Sequence, residues 1–97
     1  MTRVVFIDEA RADALEAYRW YEAQREGLGA ELREELRATI ERIRAAPLAY
    51  AVVHRRTRRA PISRFPYGVF YRASAEAILI VGVIHGRRHP RDWMRRA

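Results

Sequence analysis

Residues 67–84 read YGVFYRASAEAILIVGVI and carry the clearest strand pattern of the chain. Its first seven side chains alternate, so that Val69 and Tyr71 share one side of a strand while Arg72 lies on the other. A short turn follows, and then the continuous apolar run Ala77–Ile84, which is typical of a central strand covered on both faces. The stretch therefore predicts two antiparallel strands at the centre of a sheet.

Two amphipathic helices precede these strands. The first follows the short apolar strand Val4–Ile7 and extends to about Gln24, with Asp8 as its expected N-cap. A break at residues 27–29 separates it from a second helix, which ends at about Ala46, just before a proline. Apolar residues recur at helical spacing in both helices, and we interpret these stripes as core packing rather than as a ligand site.

The remaining segments complete a small α+β fold. Pro61–Pro66 is predicted as a strand with an irregular end, and Pro90–Arg96 as a short helix whose Trp93 packs back on the sheet. Residues 1–97 then form one domain: an N-terminal strand, an antiparallel helical hairpin, a three-stranded antiparallel meander and a short C-terminal helix. The hairpin would cover one face of the sheet and leave the other face free to hold a site.

Composition excludes several classes of protein. The chain has no cysteine, so disulfides and thiolate metal sites are excluded. Its longest apolar run, Ala77–Ile84, is far shorter than the roughly 20 residues of a membrane-spanning helix. The sequence has neither a glycine-rich phosphate loop nor a Gly-x-Ser-x-Gly elbow, which argues against nucleotide hydrolases and serine hydrolases. We expect a cytoplasmic protein without metal or cofactor.

Charge is the strongest signal in the composition. The formal net charge is +7, and all 19 basic residues are arginines. Residues 51–97 contain eleven of them and only two acids, Glu76 and Asp92, so the positive charge is concentrated in the second half. The arginine bias is explained equally well by codon usage or by function. Either way, the field favours an acidic partner, either nucleic acid or protein.

Basic side chains in the second half are candidates for binding a polyanion. His54–Arg59 is either a solvated edge whose charges discourage strand addition, or a phosphate-binding stripe that uses Arg56 and Arg58 on one side. Arg72 must reach water, a ligand or an acid on the helices, because burying an unpaired charge costs several kcal/mol. For His54–Arg59 and for Arg72, a structural role and a ligand-binding role both remain open.

The segment His85–Arg91 leaves the central strand through a glycine. His85 and His89 are candidates for proton transfer, because the unperturbed imidazole titrates near neutral pH, and the alternative for His85 is a core histidine bonded to the backbone. The three histidines of the chain lack the spacing of a metal site.

Two stretches together resemble a known superfamily. Residues 64–72, RFPYGVFYR, and residues 83–93, VIHGRRHPRDW, resemble the C-terminal half of RelE/ParE-type toxins. The N-terminal strand and helical hairpin match the same plan, so the resemblance covers nearly the whole chain. It implies the toxin half of a bacterial type II toxin–antitoxin pair, which arrests growth.

The superfamily has two branches with different activities. ParE-like toxins poison DNA gyrase, whereas RelE-like toxins are metal-independent endoribonucleases that cut mRNA on the ribosome. Only in the ribonuclease branch does the resemblance imply catalytic roles for Arg64, Arg72, His85 and Arg87. That branch commonly uses lysines and a late tyrosine, and this chain has no lysine and no tyrosine after Tyr71. The ParE-like branch is therefore favoured.

Both branches share one kind of partner. The resemblance implies a cognate antitoxin whose acidic, amphipathic segment wraps the toxin in a hetero-oligomer. A third interpretation is a non-toxic binding module that uses the basic sheet. We expect nucleic acid or antitoxin to contact a set of five residues: Arg56, Arg58, Arg88, Arg91 and Trp93.

Overall fold

The computed structural model describes residues 2–96 and shows a five-stranded sheet with two long helices on one face. The elements, in chain order, are β1 Arg3–Phe6, α1 Asp8–Gln24, α2 Leu28–Ala45, β2 Val52–His54, β3 Thr57–Pro61, β4 Tyr67–Ala73, β5 Ala77–His85 and α3 Arg91–Met94. The strand order is β1-β5-β4-β3-β2, with β1 parallel to β5 and the other neighbours antiparallel. The predicted α+β class, helical hairpin and C-terminal helix are confirmed.

The meander differs from the prediction between residues 51 and 66. It has four strands rather than three, because β2 and β3 form a hairpin around a two-residue turn, Arg55-Arg56. The predicted strand Pro61–Pro66 is wrong beyond its first residue. The Ile62 N–H instead donates to the Tyr67 carbonyl at 2.9 Å, closing a tight loop in which Pro66 has no N–H to give.

The start of α1 also differs from the prediction. Asp8 is the first helical residue, and Ile7 occupies the N-cap position without a side-chain cap. Asp8 and Glu9 place negative charge in the first turn, where it complements the partial positive charge of the helix N-terminus.

The main core lies between the helices and the sheet. The alternation of β4 holds, since Val69 and Tyr71 face the helices while Phe70 faces the opposite side. The fully buried side chains of this core come from both helices and from β3, β4 and β5; the largest are Ile43, Val69, Tyr71, Ile78 and Ile80. Their burial removes apolar surface from water, which supplies most of the driving force for folding.

The opposite face of the sheet holds a second, smaller core. Trp93 of α3 is 7% exposed and packs against Phe70 with ring centroids 4.5 Å apart, as predicted. Val81 and Ile84 of β5 complete this cluster. The face is therefore partly covered by α3, and only the part beside this cluster is open, in contrast to the free face expected from the sequence.

An ion pair closes the edge of β5 beyond the end of β1. The pairing of β5 with β1 ends at Ile80. The backbone N–H and C=O groups of the β5 residues that follow therefore have no neighbouring strand on that edge. The Val83 N–H donates to Asp13 Oδ2 at 3.1 Å, and Arg96 Nη1 donates to the Val81 carbonyl at 3.2 Å. Arg96 Nη1 and Asp13 Oδ2 are 2.6 Å apart, with the two side chains 7% and 12% exposed. This pair joins the C-terminal end of the described chain to α1.

Candidate functional site

Arg64 is held by two acids of α2. It lies in the β3–β4 loop with a left-handed φ of 71°, and its guanidinium contacts Glu31 at 2.7 Å and Glu35 at 3.6 Å. Hydrogen bonds from Arg64 and then Arg25 lower the pKa of the Glu31 carboxyl. Arg64 therefore fastens the loop to α2, which accounts for this arginine without a substrate.

The residues implied for a ribonuclease do not converge. Arg72 pairs with Leu79 near one end of the β4–β5 hairpin, whereas His85 pairs with Tyr67 at the other end. Five residues along an extended strand separate these ends by about 17 Å. Among residues 2–96 Arg72 has no ion pair, so the acid partner considered for it on the helices is not found.

His85 lies at the end of β5, where it lines a cavity beside Tyr21 on the helix side and also the cavity beside Arg59 on the opposite face. Its ring packs against Tyr67, with centroids 5.1 Å apart, and its Nδ1 accepts the Arg87 N–H at 3.0 Å. A neutral imidazole has only one accepting nitrogen, and here that nitrogen is already occupied. This geometry matches the backbone-bonded histidine considered from the sequence, and the Arg87 side chain itself is exposed.

The five predicted binding residues do not form one surface. Arg58 Nη1 donates to the carbonyls of Tyr50 at 2.7 Å and Leu48 at 3.3 Å, so it supports the α2–β2 connection. Arg56 is exposed in the β2–β3 turn, and Arg91 is exposed at the start of α3. The remaining two are Arg88, which bonds Asp92 at 3.4 Å, and the buried Trp93.

One arginine of the basic segment His54–Arg59 that was not among the predicted binding residues occupies the open part of the sheet. Arg59 crosses β4 at Gly68, and its guanidinium carbon lies 5.9 Å from the centroid of the Phe70 ring. A Cβ at position 68 would come within 2.7 Å of that carbon, so glycine is required for this close approach. A glycine inside a predicted strand was the available signal. Arg59 and Arg88 together line a cavity of about 200 Å³.

An apolar groove opens on the other side of the molecule. It has a volume of about 330 Å³ and runs between α1 and α2, with Phe6 and Val83 contributing from the sheet. Its helical lining consists of Ala14, Leu15, Tyr18, Leu32 and Leu36, with Arg11 and Arg33 as its only charged residues within the described chain. The helical stripes interpreted as core packing thus also line an open surface.

Neither a metal-binding cluster nor a membrane-spanning helix occurs in residues 2–96. No group of three or more His, Asp or Glu side chains there could hold a metal ion. No helix of the described chain is long and apolar enough to cross a membrane.

Comparison with known proteins identifies a match over most of the chain. Residues 4–90 match the family described as "ParE toxin of type II toxin-antitoxin system, parDE". The fold is similar to a chain of the "Chromosomal ParDE TA system from P. aeruginosa", with a TM-score of 0.76 at 15% identity, covering 88% of this chain and 96% of that one. None of the curated proteins matches the sequence.

Proposed function

Because the chain belongs to the ParE toxin family of type II toxin–antitoxin systems, we propose that it is the toxin of such a module. In this proposal it arrests growth by poisoning DNA gyrase in the cytoplasm, and a cognate antitoxin neutralises it in a hetero-oligomer. The apolar groove between α1 and α2 carries the part of the proposal that concerns the antitoxin.

The groove has the properties of a site for an amphipathic helix. Leu15 is 48% exposed at its rim, although most large apolar side chains of this chain are buried. An apolar helix face docked there would remove this surface from water, as in other helix-in-groove complexes. Arg11 and Arg33 flank the groove and favour acidic residues at the edges of the partner helix. An acidic, amphipathic antitoxin segment fits both properties.

The gyrase mode is favoured over mRNA cleavage by the positions of the implied catalytic residues. Arg64 is bound to Glu31 and Glu35, and Arg72 and His85 lie at opposite ends of a strand pair. A ribonuclease needs its basic groups gathered around one phosphate, because they must stabilise the charge that develops there. That requirement weighs against the ribonuclease alternative.

A growth assay tests the antitoxin site. Induction of the chain should arrest growth, and co-expression of the neighbouring antitoxin gene should restore it. Leu15→Glu should remain toxic but lose most of this rescue, because a charge in the groove opposes apolar docking. Leu48→Glu is the matched control, since Leu48 is 70% exposed and lies outside the groove. Equal rescue of both variants would contradict the assignment of the groove.

Two biochemical assays test the target. The purified chain should inhibit supercoiling by gyrase and trap cleaved DNA, and the antitoxin should reverse both effects. In a translation extract it should leave mRNA intact. Cleavage of mRNA that is lost in His85→Ala and Arg87→Ala, with gyrase unaffected, would replace this proposal with the ribonuclease alternative.

A further inference from the structure

We propose that the open face of the sheet binds a backbone phosphate of nucleic acid, with the Arg59 guanidinium as its central contact. The site lies on the face opposite the helical hairpin, where β3, β4 and the β5–α3 loop enclose the cavity of about 200 Å³. It is separate from the α1–α2 groove, and of the ribonuclease residues implied by the family resemblance only His85 lines it.

Arg59 is held in a fixed position on this face. Its side chain is half-buried, lies over the Phe70 ring at 5.9 Å, and passes across Gly68 so closely that a side chain there would collide with it. The contact with the ring restricts the long side chain before any ligand arrives. A preorganised guanidinium loses less conformational entropy on binding, which favours affinity.

Arg59 has no acidic partner among residues 2–96. The ion pairs of the described chain are all made by arginines other than Arg59. The two acids of residues 51–97 lie elsewhere: Glu76 is in the β4–β5 turn, and Asp92 pairs with Arg88. The half-buried Arg59 guanidinium has no counter-ion in the described chain, and its N–H groups are not among the buried polar groups that lack a partner, so they remain accessible from the cavity. An oxyanion in the cavity would supply the missing charge, and the guanidinium fork matches the oxygens of a phosphate.

The surroundings favour a polyanion over an acidic helix. The cavity is bordered by Val53 in β2 and by Gly86 in the β5–α3 loop. These two segments continue into exposed arginines at positions 55, 56 and 87. An acidic amphipathic helix also needs a large apolar surface, which lies in the groove on the other face. A nucleic-acid backbone needs repeated cations and little apolar surface.

Fluorescence anisotropy with the purified full-length chain tests the site. The probes are a labelled DNA duplex, the matching single strand and the matching RNA, each titrated over a range of salt concentrations. Arg59→Gln should weaken binding to each probe by about tenfold and reduce the salt slope by about one, as expected for the loss of one phosphate contact. Arg37→Gln removes the same charge from α2, where Arg37 pairs with Glu34, and should change both quantities far less.

A second variant separates position from charge. Gly68→Ala keeps every charge but displaces the Arg59 guanidinium, so it should weaken binding in the same direction as Arg59→Gln. Thermal unfolding establishes that each variant is folded.

Equal effects of Arg59→Gln and Arg37→Gln on affinity and slope would overturn the proposal, since binding would then depend only on net charge. An oligoglutamate that binds in an Arg59-dependent way while nucleic acid does not would overturn it in favour of an acidic peptide. Neither gyrase nor antitoxin is present, so failure here is distinct from failure of the proposed function.

Discussion

Asp13 and Arg96 show how much a single pair of residues contributes to this fold. They are 83 positions apart, bond each other at 2.6 Å and also bond the Val83 N–H and the Val81 carbonyl. The sequence could not reveal this pair. Asp13 resembles any acid beside an apolar helical stripe, and Arg96 resembles one more arginine in a basic terminal segment.

Removing one member of this pair should destabilise the chain strongly. Asp13→Ala leaves a guanidinium that is 7% exposed without its carboxylate, and the Val83 N–H without its acceptor. We expect a loss of about 3 kcal/mol in the free energy of unfolding, measured by urea denaturation. Asp8→Ala, which removes a fully exposed partner of Arg11, is the control and should have little effect. Similar midpoints for the two variants would contradict this role.

Glu31 should make the stability depend on pH in a defined direction. Its carboxyl pKa is lowered from 4.5, first by the hydrogen bond from Arg64 and then by that from Arg25. A group whose pKa is lower in the folded state stabilises the fold above its ordinary pKa, and this stabilisation is lost as the pH falls through the lowered value. The difference in urea midpoint between the wild-type chain and Glu31→Gln should be present at pH 7 and shrink below pH 4.5. A difference that is constant with pH would contradict the argument; Glu34→Gln on the same helix is the control.

Among the secondary-structure elements, α2 shows how the helical hairpin is fixed. Gly27, at the N-cap position, has a φ of 88°, which a glycine adopts readily. The Glu22 carboxylate on α1 accepts the Gly27 N–H at 2.8 Å and the Gly29 N–H at 2.9 Å. Helix N-termini leave such N–H groups unpaired, and a negative charge there also complements the helix dipole. Glu22 thus caps one helix from its neighbour.

Loss of this cap should weaken the hairpin. Glu22→Ala removes both hydrogen bonds and the charge near the start of α2, so we expect a loss of about 1 kcal/mol in the free energy of unfolding. Glu26→Ala, at an exposed position close by, should change it much less. Thermal unfolding followed by circular dichroism would measure both, and an equal shift in the two variants would rule out the capping role.

The elements with a strong pattern were predictable, and those that depend on local geometry were not. Both long helices follow from the spacing of their apolar residues, and β5 follows from its apolar run. The β2–β3 hairpin was missed because its turn is made of two arginines, and Arg55 adopts a φ of 53° where glycine or asparagine would give the usual signal. The sequence of the β3–β4 loop predicts a strand because its apolar and polar residues alternate, whereas its backbone forms a tight turn.

For the whole molecule, the candidate surfaces lie on opposite faces of the sheet. The groove could not be predicted, because a helical stripe shows which residues face inward but not how far two helices separate above the sheet. The position of Arg59 depends on strand register and on Gly68, which bring together residues nine positions apart in the sequence. What the sequence did predict was the sign of the charge and the half of the chain that carries it.

Separate surfaces should give separable phenotypes. Leu15→Glu should lose antitoxin rescue and retain nucleic-acid affinity, whereas Arg59→Gln should lose affinity and retain rescue. Two sites on opposite faces of the sheet that share no partner residue are expected to behave independently. Rescue and anisotropy measured on the two single variants and the double variant test this, and a double variant that departs from the sum of the singles would indicate coupling between the faces.

The pairing of β1 with β5 has a consequence for biosynthesis. Among residues 2–96 the first strand has its hydrogen-bonding partner in the last one, and α1 is bound by Arg96, 83 positions after Asp13. Ribosomes release a chain from its N-terminus onward, so most of this sequence emerges before its first strand can be paired. The fold is therefore complete only after β5 and Arg96 have left the ribosome. Until β5 has emerged, β1 and the face of α1 that packs on β5 stay uncovered and accessible to chaperones or proteases.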